Sequence, residues 1–272
     1  RSIYIINALL GSIGGAKGGL PFANKPGDVG RKGLKKLVDL VPKPAEKRVD
    51  GVGWRYKHFD GGPGLAHLIY DAMESAEPSP LKAYIAYRHD PLMGFPDPDR
   101  LLQKFDKPDF LLSVSFTWSD TAWHSDVVLP LSPYLERESI LACKNGLKPH
   151  FFVRQRAVPP RFDTRADWEI LCGIAKRLGI KELAFDSIEA IWNYQLKDTG
   201  VRPEDFNATG FVNLADAPKY AKPDELKIPT PSGKIEIISE KLENQGIASL
   251  KPYEPPKRPP AKPCPLSTES GS

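Results

Sequence analysis

Hydrophobic positions near the start of the chain recur at the spacing of helices. Residues 3–13 are mostly apolar, which predicts a buried helix that ends near the glycines that follow it. Residues 65–76 carry apolar side chains every three or four positions, which predicts an amphipathic helix. Between these helices, residues 20–64 are rich in Gly, Pro and Lys and show no sustained period. We therefore expect an irregular excursion over the surface there.

The central part of the chain alternates between strand and helix patterns. Residues 81–88 and 110–117 predict two buried strands, and residues 99–105 predict a short helix between them. A strand, a crossover helix and a second strand form a right-handed unit whose strands are parallel. Residues 126–131 predict a third strand. One face of a predicted fourth strand is formed by four alternating residues, Phe151, Val153, Gln155 and Ala157. The pattern as a whole predicts an α/β fold in which helices flank a parallel sheet.

Helices dominate the pattern that follows. Residues 164–167, Thr-Arg-Ala-Asp, form a variant of the capping box and predict the start of a helix that ends at Gly179. Its predicted apolar face consists of Ile170, Leu171, Ile174, Ala175 and Leu178. Residues 187–196 predict a further helix. After residue 200, residues 229–233 predict a turn and residues 234–239 a strand, whereas residues 251–272 are proline-rich and predict a linker or an extended tail.

Composition narrows the class of protein. The 272 residues are 40% hydrophobic and 26% charged, as in globular proteins, which excludes wholesale disorder. No stretch approaches the ~20 apolar residues of a membrane helix, and the net charge of +4 is too small to indicate nucleic acid as a partner. The 3 cysteines form neither a disulfide framework nor a closed zinc site. Because the chain starts at Arg1 without a signal peptide, we expect it to be a piece of a longer polypeptide.

Two loops follow the predicted parallel strands, Arg88-His89-Asp90-Pro91 and Ser115-Phe-Thr-Trp118. In open parallel sheets ligands lie beyond the carboxyl ends of the strands, so both loops emerge at the ligand edge. There Asp90 would accept hydrogen bonds from a base or sugar, Ser115 would donate or accept, and Arg88 would pair with a phosphate. The alternative is that Asp90-Pro91 is simply a turn. A nucleotide-type ligand is the function class that this edge favours.

Other candidate residues have simple structural interpretations. The glycines of residues 11–19 end a helix and lack the Ser or Thr of a phosphate loop. Residues 136–138, Glu-Arg-Glu, are typical of a solvated face or a local ion pair, and Asp167 is typical of a first-turn acid facing the helix dipole. His89 and His124 lie on ligand-side loops, although single histidines are more often structural. No G-x-S-x-G elbow supports a hydrolase, and no complete catalytic set or metal-ligand set emerges.

Several motifs, in order, resemble one family. Asp120-Thr-Ala-Trp-His-Ser-Asp-Val-Val-Leu-Pro130, followed by Glu136-Arg137, is similar to the signature of the molybdopterin oxidoreductase (dimethyl sulfoxide reductase) family. Residues 6–14 with 18–19, residues 88–91, the Asp167-Trp-Glu-Ile helix and residues 229–236 resemble further segments of that family. The resemblance covers residues 1 to about 240. It implies a Rossmann-like sheet, followed by the start of a β-barrel-type domain.

The resemblance implies a bis(molybdopterin guanine dinucleotide) centre with molybdenum or tungsten. It assigns Asp90, Ser115, Arg137 and Asp167 to the pocket for one guanine dinucleotide, with Arg88 and His89 beside them. Asp90 stands where the family commonly has Asn. The chain lacks the family's Cys-rich segment, which would carry a 4Fe-4S cluster, and its metal ligand, so we expect the remainder of the catalytic subunit to supply both.

Within the family, residues 131–137 and 153–160 are most similar to polysulfide and thiosulfate reductase catalytic subunits. The expected reaction is the two-electron reduction of a sulfur oxyanion or polysulfide, with arsenate and tetrathionate reductases as close neighbours. Relatives imply an iron–sulfur electron-transfer subunit, a membrane anchor subunit and a location in the periplasm or on the outer face of the cytoplasmic membrane. Because the net charge is small, we expect no nucleic-acid partner.

Two other function classes stay open from the sequence. The chain would otherwise be a non-catalytic cofactor-binding or assembly module derived from the family, or a nicotinamide-nucleotide domain, which the missing G-x-G-x-x-G disfavours. The predicted organisation is a helix with an irregular excursion in residues 1–64, the Rossmann-like cofactor-binding portion in residues 65–200, a connector in residues 201–250 and a tail in residues 251–272.

Overall fold

The computed structural model of the chain describes residues 2–14, 20–57, 64–221, 228, 230–250 and 252–255. The chain divides into two compact units, residues 1–227 and 228–272. The glycines at 15–19 and most of the proline-rich tail lie outside the described residues. The four domain boundaries given above stay predictions.

The first unit contains seven α-helices and six strands within the described ranges. The helices are α1 (Ser2–Leu9), α2 (Ala66–Ser75), α3 (Pro91–Gly94), α4 (Pro98–Phe105), α5 (Asp120–Trp123), α6 (Asp167–Arg177) and α7 (Ile188–Leu196). The strands are β1 (Ala83–Tyr87), β2 (Phe110–Ser115), β3 (Val127–Pro130), β4 (Ala142–Lys144), β5 (His150–Phe152) and β6 (Phe211–Asn213). Short 3-10 turns occupy Pro26–Val29, Leu37–Leu40, Lys181–Leu183 and Pro203–Phe206. No helix among the described residues has the length and apolar character needed to cross a membrane.

The first sheet has the order β1-β2-β3, and both strand pairs are parallel. Tyr87 lies opposite Val114, so the carboxyl ends of β1 and β2 meet at the same edge, as the sequence predicted. One core cluster joins the sheet to its helices and comprises Tyr70, Met73, Leu92, Leu101, Phe105 and Leu111. A second cluster, Leu112, Val114, Leu131 and Ile170, holds α6 against the sheet. The predicted α/β fold with a parallel sheet and flanking helices is confirmed.

A second sheet departs from the prediction. β4, β5 and β6 form an antiparallel sheet over a core that includes Phe151 and Val153. The predicted fourth strand therefore forms only at Phe151 and Phe152, the last two residues of β5, and it does not extend the parallel sheet. Gln155 and Ala157 are exposed. The strand pattern stops there because the Ala157 N–H donates to the carbonyl of Leu135, in a segment without regular structure.

Two predicted helices differ in their packing. The apolar side chains of α1 are exposed, for example Ile3 at 72%, so the predicted buried helix forms but is not buried in this chain. The cap of α6 is Ala166, whose N–H donates to Glu169 Oε2 at 2.7 Å. Thr164 instead bonds through its hydroxyl to Ser132 at 2.8 Å, so the predicted capping box is wrong in its residues. Leu171 and Leu178 are exposed, because α6 buries Ile170, Cys172 and Ala175.

The second unit has little regular structure in its described part. The turn before Gly233 forms, with its N–H donating to the carbonyl of Thr230 and a φ of 67°. Residues 234–239 contain no strand, and the only helix among the described residues there is α8 (Glu240–Glu243). The Thr230 hydroxyl donates to the carbonyl of Lys234, and the Ser232 hydroxyl donates to Glu236. Such local side-chain bonds compete with strand pairing, which explains why the predicted strand is absent.

Candidate functional site

Four side chains meet where the carboxyl edge of the parallel sheet faces the start of α6. Tyr87 is the last residue of β1, and Arg88 follows it in the left-handed region with a φ of 51°. Asp167 is the first residue of α6, and Arg137 comes from the irregular segment after β3. The main chain brings α6 to this edge through a parallel bridge between Leu131 and Arg165. We call Tyr87, Arg88, Arg137 and Asp167 the Arg137 cluster.

Asp167 is the centre of this cluster. Its Oδ2 accepts a hydrogen bond from the Tyr87 hydroxyl at 2.7 Å. The same oxygen lies 3.3 Å from Arg137 Nη1 and 3.6 Å from Arg88 Nη1. Its Oδ1 accepts from the N–H of Trp168 at 3.1 Å. A carboxylate is favoured at this position because the N-terminus of a helix carries partial positive charge.

Arg137 is buried without a full set of hydrogen bonds. It is 2% exposed, yet its Nε and Nη1 have no hydrogen-bond acceptor within the described part of the chain, despite the short Nη1–Asp167 distance. The Nε of Arg154 is also buried without a partner among the described residues. Most buried polar groups in proteins are satisfied, so such donors need an explanation such as a bound ligand. Arg137 therefore offers N–H groups that the described protein atoms do not use.

The electrostatics of the cluster favour an anion. Burial lowers the pKa of Arg137, Asp167 raises it again, and the positive charges of Arg88 and Arg154 lower it further. Burial and the hydrogen bond to Asp167 raise the pKa of Tyr87, so its phenol is neutral and donates. Two guanidinium groups, those of Arg88 and Arg137, thus face a single carboxylate, and the positive charge of Arg154 also acts on Arg137. A negatively charged ligand would balance this excess of positive charge.

The structure brings three predicted site residues together, Arg88, Arg137 and Asp167, and gives the other three local partners. Asp90 Oδ1 accepts from the N–H of Thr121 at 3.1 Å and from its hydroxyl at 2.6 Å. Ser115 Oγ accepts from the Thr117 N–H at 3.2 Å, and His89 Nε2 lies 3.1 Å from the Tyr70 hydroxyl. Asp90 thereby links the start of α3 to α5.

Other candidates behave as structural residues. Glu138 forms a two-pronged pair with Arg156 at 2.9 and 3.0 Å, which is a local ion pair as expected. Burial raises the pKa of Cys143 and Cys172, which makes both thiols less reactive. No group of three or more His, Cys, Asp or Glu side chains in the described ranges is arranged to hold a metal ion. A cavity of about 420 Å³ beside α6 is lined by Leu129, Pro130, Asp163, Arg165, Glu169, Ile170, Gly173, Ile174 and Arg177, and it shares no residue with the Arg137 cluster.

Sequence reasoning missed two residues of this region, Tyr87 and Arg154. Tyr87 lies at the same strand end that pointed to Arg88, so the rule about the carboxyl edge also covers it. Arg154 follows β5, and nothing in its local pattern distinguishes it from an exposed arginine. Its proximity to Arg137 arises only from the folding of β5 beside the segment around Ser139, whose N–H donates to the Arg154 carbonyl.

Residues 12–177 match the family model described as molybdopterin oxidoreductase. The chain belongs to this family. It is 27% identical to the thiosulfate reductase molybdopterin-containing subunit PhsA of Salmonella typhimurium, over 89% of this chain and 36% of that protein. It is 28% identical to acetylene hydratase of Syntrophotalea acetylenica, over 80% of this chain and 30% of that protein. The chain thus spans about a third of the length of these relatives.

A solved structure agrees with the family assignment. Acetylene hydratase from Pelobacter acetylenicus superposes with a TM-score of 0.59 at 25% sequence identity. The similarity covers 75% of this chain and 28% of that one. Dimethyl sulfoxide/trimethylamine N-oxide reductase of Rhodobacter capsulatus is also similar, at 28% identity over 58% of this chain. The resemblance found in the sequence motifs is confirmed at the level of the family, which implies a molybdopterin cofactor with its metal.

Proposed function

We propose that this chain holds one guanine dinucleotide arm of a bis(molybdopterin guanine dinucleotide) centre that contains molybdenum or tungsten. The observation that carries the proposal is Arg137, a buried arginine whose Nε and Nη1 find no acceptor among the described residues. A dinucleotide supplies anionic diphosphate oxygens, which are the acceptors that a guanidinium group binds best. The position at the carboxyl edge of a parallel sheet is where such ligands bind.

The remaining residues fit the rest of the ligand. In the proposal Arg137 and Arg88 bind the charged oxygens, and Asp167 accepts hydrogen bonds from the N–H groups of the guanine edge. Ser115 and Asp90 contact the base or the ribose, with Asp90 Oδ1 already held by Thr121. His89 lies beside Asp90 in the same loop, held by its contact with Tyr70. This part of the protein orients the cofactor and balances its charge.

For the complete enzyme we propose the reduction of a sulfur oxyanion or polysulfide. When bound, the metal centre supplies the two-electron chemistry, and an iron–sulfur cluster of the 4Fe-4S type delivers the electrons. The similarity to a thiosulfate reductase subunit over 89% of this chain supports this substrate class. We further propose an iron–sulfur subunit and a membrane anchor subunit as partners, on the periplasmic side of the membrane, as the resemblance implies.

The deciding experiment is Arg137→Ala in the intact enzyme, purified natively. We expect molybdenum or tungsten per polypeptide, and guanine nucleotide released by acid, to fall together, because a buried charged contact to the ligand is lost. Arg156→Ala is the matched control, since Arg156 pairs with Glu138 and its side chain is 41% exposed. Full metal and nucleotide content in Arg137→Ala would refute the proposal.

The substrate class needs its own measurement. The loaded enzyme should oxidise a reduced viologen dye when thiosulfate, tetrathionate or polysulfide is added. Turnover with arsenate alone, or with none of these compounds, would exclude a sulfur substrate. An absence of metal in folded native protein would instead favour the non-catalytic binding or assembly module.

A further inference from the structure

We infer that Tyr87 is a positioning residue that keeps Arg137 available to its ligand by holding the carboxylate of Asp167. The inference rests on the proposed function, because the ligand concerned is the diphosphate of the cofactor. Nothing in the sequence motifs pointed to Tyr87. Its role follows from the distances at which three side chains lie from a single oxygen atom, Oδ2 of Asp167.

Three donors converge on that oxygen, and they are not equivalent. The Tyr87 hydroxyl is the nearest, at 2.7 Å, and forms a proper hydrogen bond. Arg137 Nη1 is 3.3 Å away, but its N–H is not directed at the oxygen, so the contact is an ion pair without a hydrogen bond. Arg88 Nη1 is farther, at 3.6 Å, on a side chain that is 45% exposed.

Without Tyr87, the carboxylate would have a better arrangement with Arg137. Arginine and carboxylate groups prefer a fork in which two parallel N–H groups bind two oxygens, and this is stronger than a single ionic contact. In the structure the two oxygens of Asp167 are engaged elsewhere, one by Tyr87 and one by the Trp168 N–H. The Tyr87 hydroxyl thus holds the carboxylate in an orientation in which Arg137 does not form this fork.

Tyr87 is well placed to act in this way. Its main chain is fixed in the sheet, where it pairs with Val114, so the side chain is anchored at the carboxyl edge beside Asp167. Burial raises the pKa of its phenol, so the group keeps its proton and donates. The consequence is that the Nε and Nη1 groups of Arg137 stay open for an anion.

Removing only the hydroxyl should have opposite effects on the empty and the loaded protein. In Tyr87→Phe, Asp167 would turn toward Arg137 and close the fork. The empty protein would then be at least as stable as the wild type, because the buried N–H groups gain an acceptor. Ligand binding would weaken, since the anion must first displace the carboxylate. A merely structural role would lower stability and binding together.

The test uses the full chain from a host that does not make molybdopterin, with pyrophosphate as the probe in a calorimetric titration. We expect Tyr87→Phe to raise the Kd for pyrophosphate about ten-fold, the worth of one hydrogen bond to a charged group, with no fall in the thermal midpoint of the empty protein. Tyr84→Phe is the matched control, because the Tyr84 hydroxyl bonds to Tyr70 outside the cluster. Adding Asp167→Asn to Tyr87→Phe should restore binding, since the neutral amide does not compete as strongly for the guanidinium.

The outcomes separate this inference from the proposed function. If Tyr87→Phe binds pyrophosphate like the wild type while Arg137→Ala does not bind it, the inference is wrong and the role of Arg137 stands. If Arg137→Ala also binds normally and keeps its full cofactor content, the proposed function is wrong. If Tyr87→Phe fails to fold, the double variant Tyr87→Phe/Asp167→Asn is compared with Asp167→Asn: an equal Kd for pyrophosphate supports the inference, because Tyr87 then has no carboxylate to hold, and weaker binding by the double variant contradicts it.

Discussion

A buried carboxylate, Asp50, connects the irregular segment before α2 to the start of that helix. Asp50 is 4% exposed and accepts four hydrogen bonds. Two come from Arg48, through Nε at 3.0 Å and Nη2 at 2.6 Å. The other two come from backbone N–H groups, Val52 at 3.2 Å and Leu65 at 3.1 Å. Replacing Asp50 with Ala would remove both acceptor oxygens and all four hydrogen bonds at once.

The expected loss of stability follows from these contacts. Each buried N–H left without an acceptor costs about 1–3 kcal/mol, and breaking a buried ion pair by removing one partner costs about 3–5 kcal/mol. The side chain of Arg48 is 37% exposed, so water would take over part of its bonding. We therefore expect Asp50→Ala to destabilise the protein by about 3 kcal/mol, which would lower the Tm by roughly 6–12 °C in a unit of this size.

The same carboxylate makes stability depend on pH. Burial alone would raise the pKa of Asp50, but the hydrogen bonds from Arg48, Leu65 and Val52 and the charge of Arg48 lower it below the ordinary value of 3.8. A group whose pKa is lower in the folded state stabilises above its unfolded pKa, and this contribution is lost as the pH falls through the folded pKa. Asp50→Asn should therefore be less stable than the wild type at pH 7, and the difference should shrink below about pH 4.

Chemical unfolding of the purified wild type and variants at pH 7 and below about pH 4 measures these losses of stability. Asp186→Asn is the control, because that exposed carboxylate only pairs with Lys176 on the surface and should leave the unfolding midpoint at pH 7 unchanged. An unfolding midpoint of Asp50→Ala equal to that of the wild type at pH 7 would refute the reasoning. A stability difference between the wild type and Asp50→Asn that stays constant from pH 7 to below about pH 4 would also refute it.

Two further predictions concern the core and a helix cap. Phe151 is completely buried in the antiparallel sheet, so Phe151→Ala should lower the free energy of unfolding, measured in urea, by about 3–5 kcal/mol. A smaller loss would mean that the core beneath this sheet repacks easily. The hydroxyl of Ser187 accepts from the Ala190 N–H at the start of α7, so Ser187→Ala should cost about 1 kcal/mol, whereas Ser187→Asp should restore the midpoint. A midpoint for Ser187→Ala equal to that of the wild type would contradict the cap assignment.

The parallel sheet could be predicted because its signals are long and local. The strands end at Tyr87 and Ser115 after runs of five and six mostly apolar residues. The predicted burial holds for β2, whereas in β1 only Ala86 is buried and Ile85 is exposed. The antiparallel sheet could not be predicted, since β4, β5 and β6 have three residues each, too short for a period to be recognised. The exposure of α1 also escaped prediction, because an apolar helix looks the same in sequence whether or not this chain covers it.

The residues of the candidate site also differ in how far the sequence could predict them. The rule about the carboxyl ends of parallel strands led to Arg88 from the sequence, and it applies equally to Tyr87. Arg137 and Asp167 came from the family resemblance, since their meeting depends on a tertiary bridge from Leu131 that no local pattern reveals. Asp90 shows where the rule about the carboxyl edge falls short. The rule selects this residue, but its Oδ1 accepts a hydrogen bond from the Thr121 hydroxyl within the fold. A polar residue at the carboxyl edge of the sheet is a candidate for ligand binding. Its contacts in the folded chain decide whether its polar atoms bind the protein or remain available to a ligand.

The Arg137 cluster also explains why a binding site of this kind is a poor stabiliser of the empty protein. A buried guanidinium with unused N–H groups costs free energy that a fully paired arginine would not. Arg88 and Arg154 add to this cost, because like charges repel Arg137 and lower its pKa. An anionic ligand reverses both effects at once, so its binding energy appears directly as stability of the folded chain. The features that make the cluster unfavourable on its own are therefore the ones by which, in the function that we propose, it would bind a diphosphate.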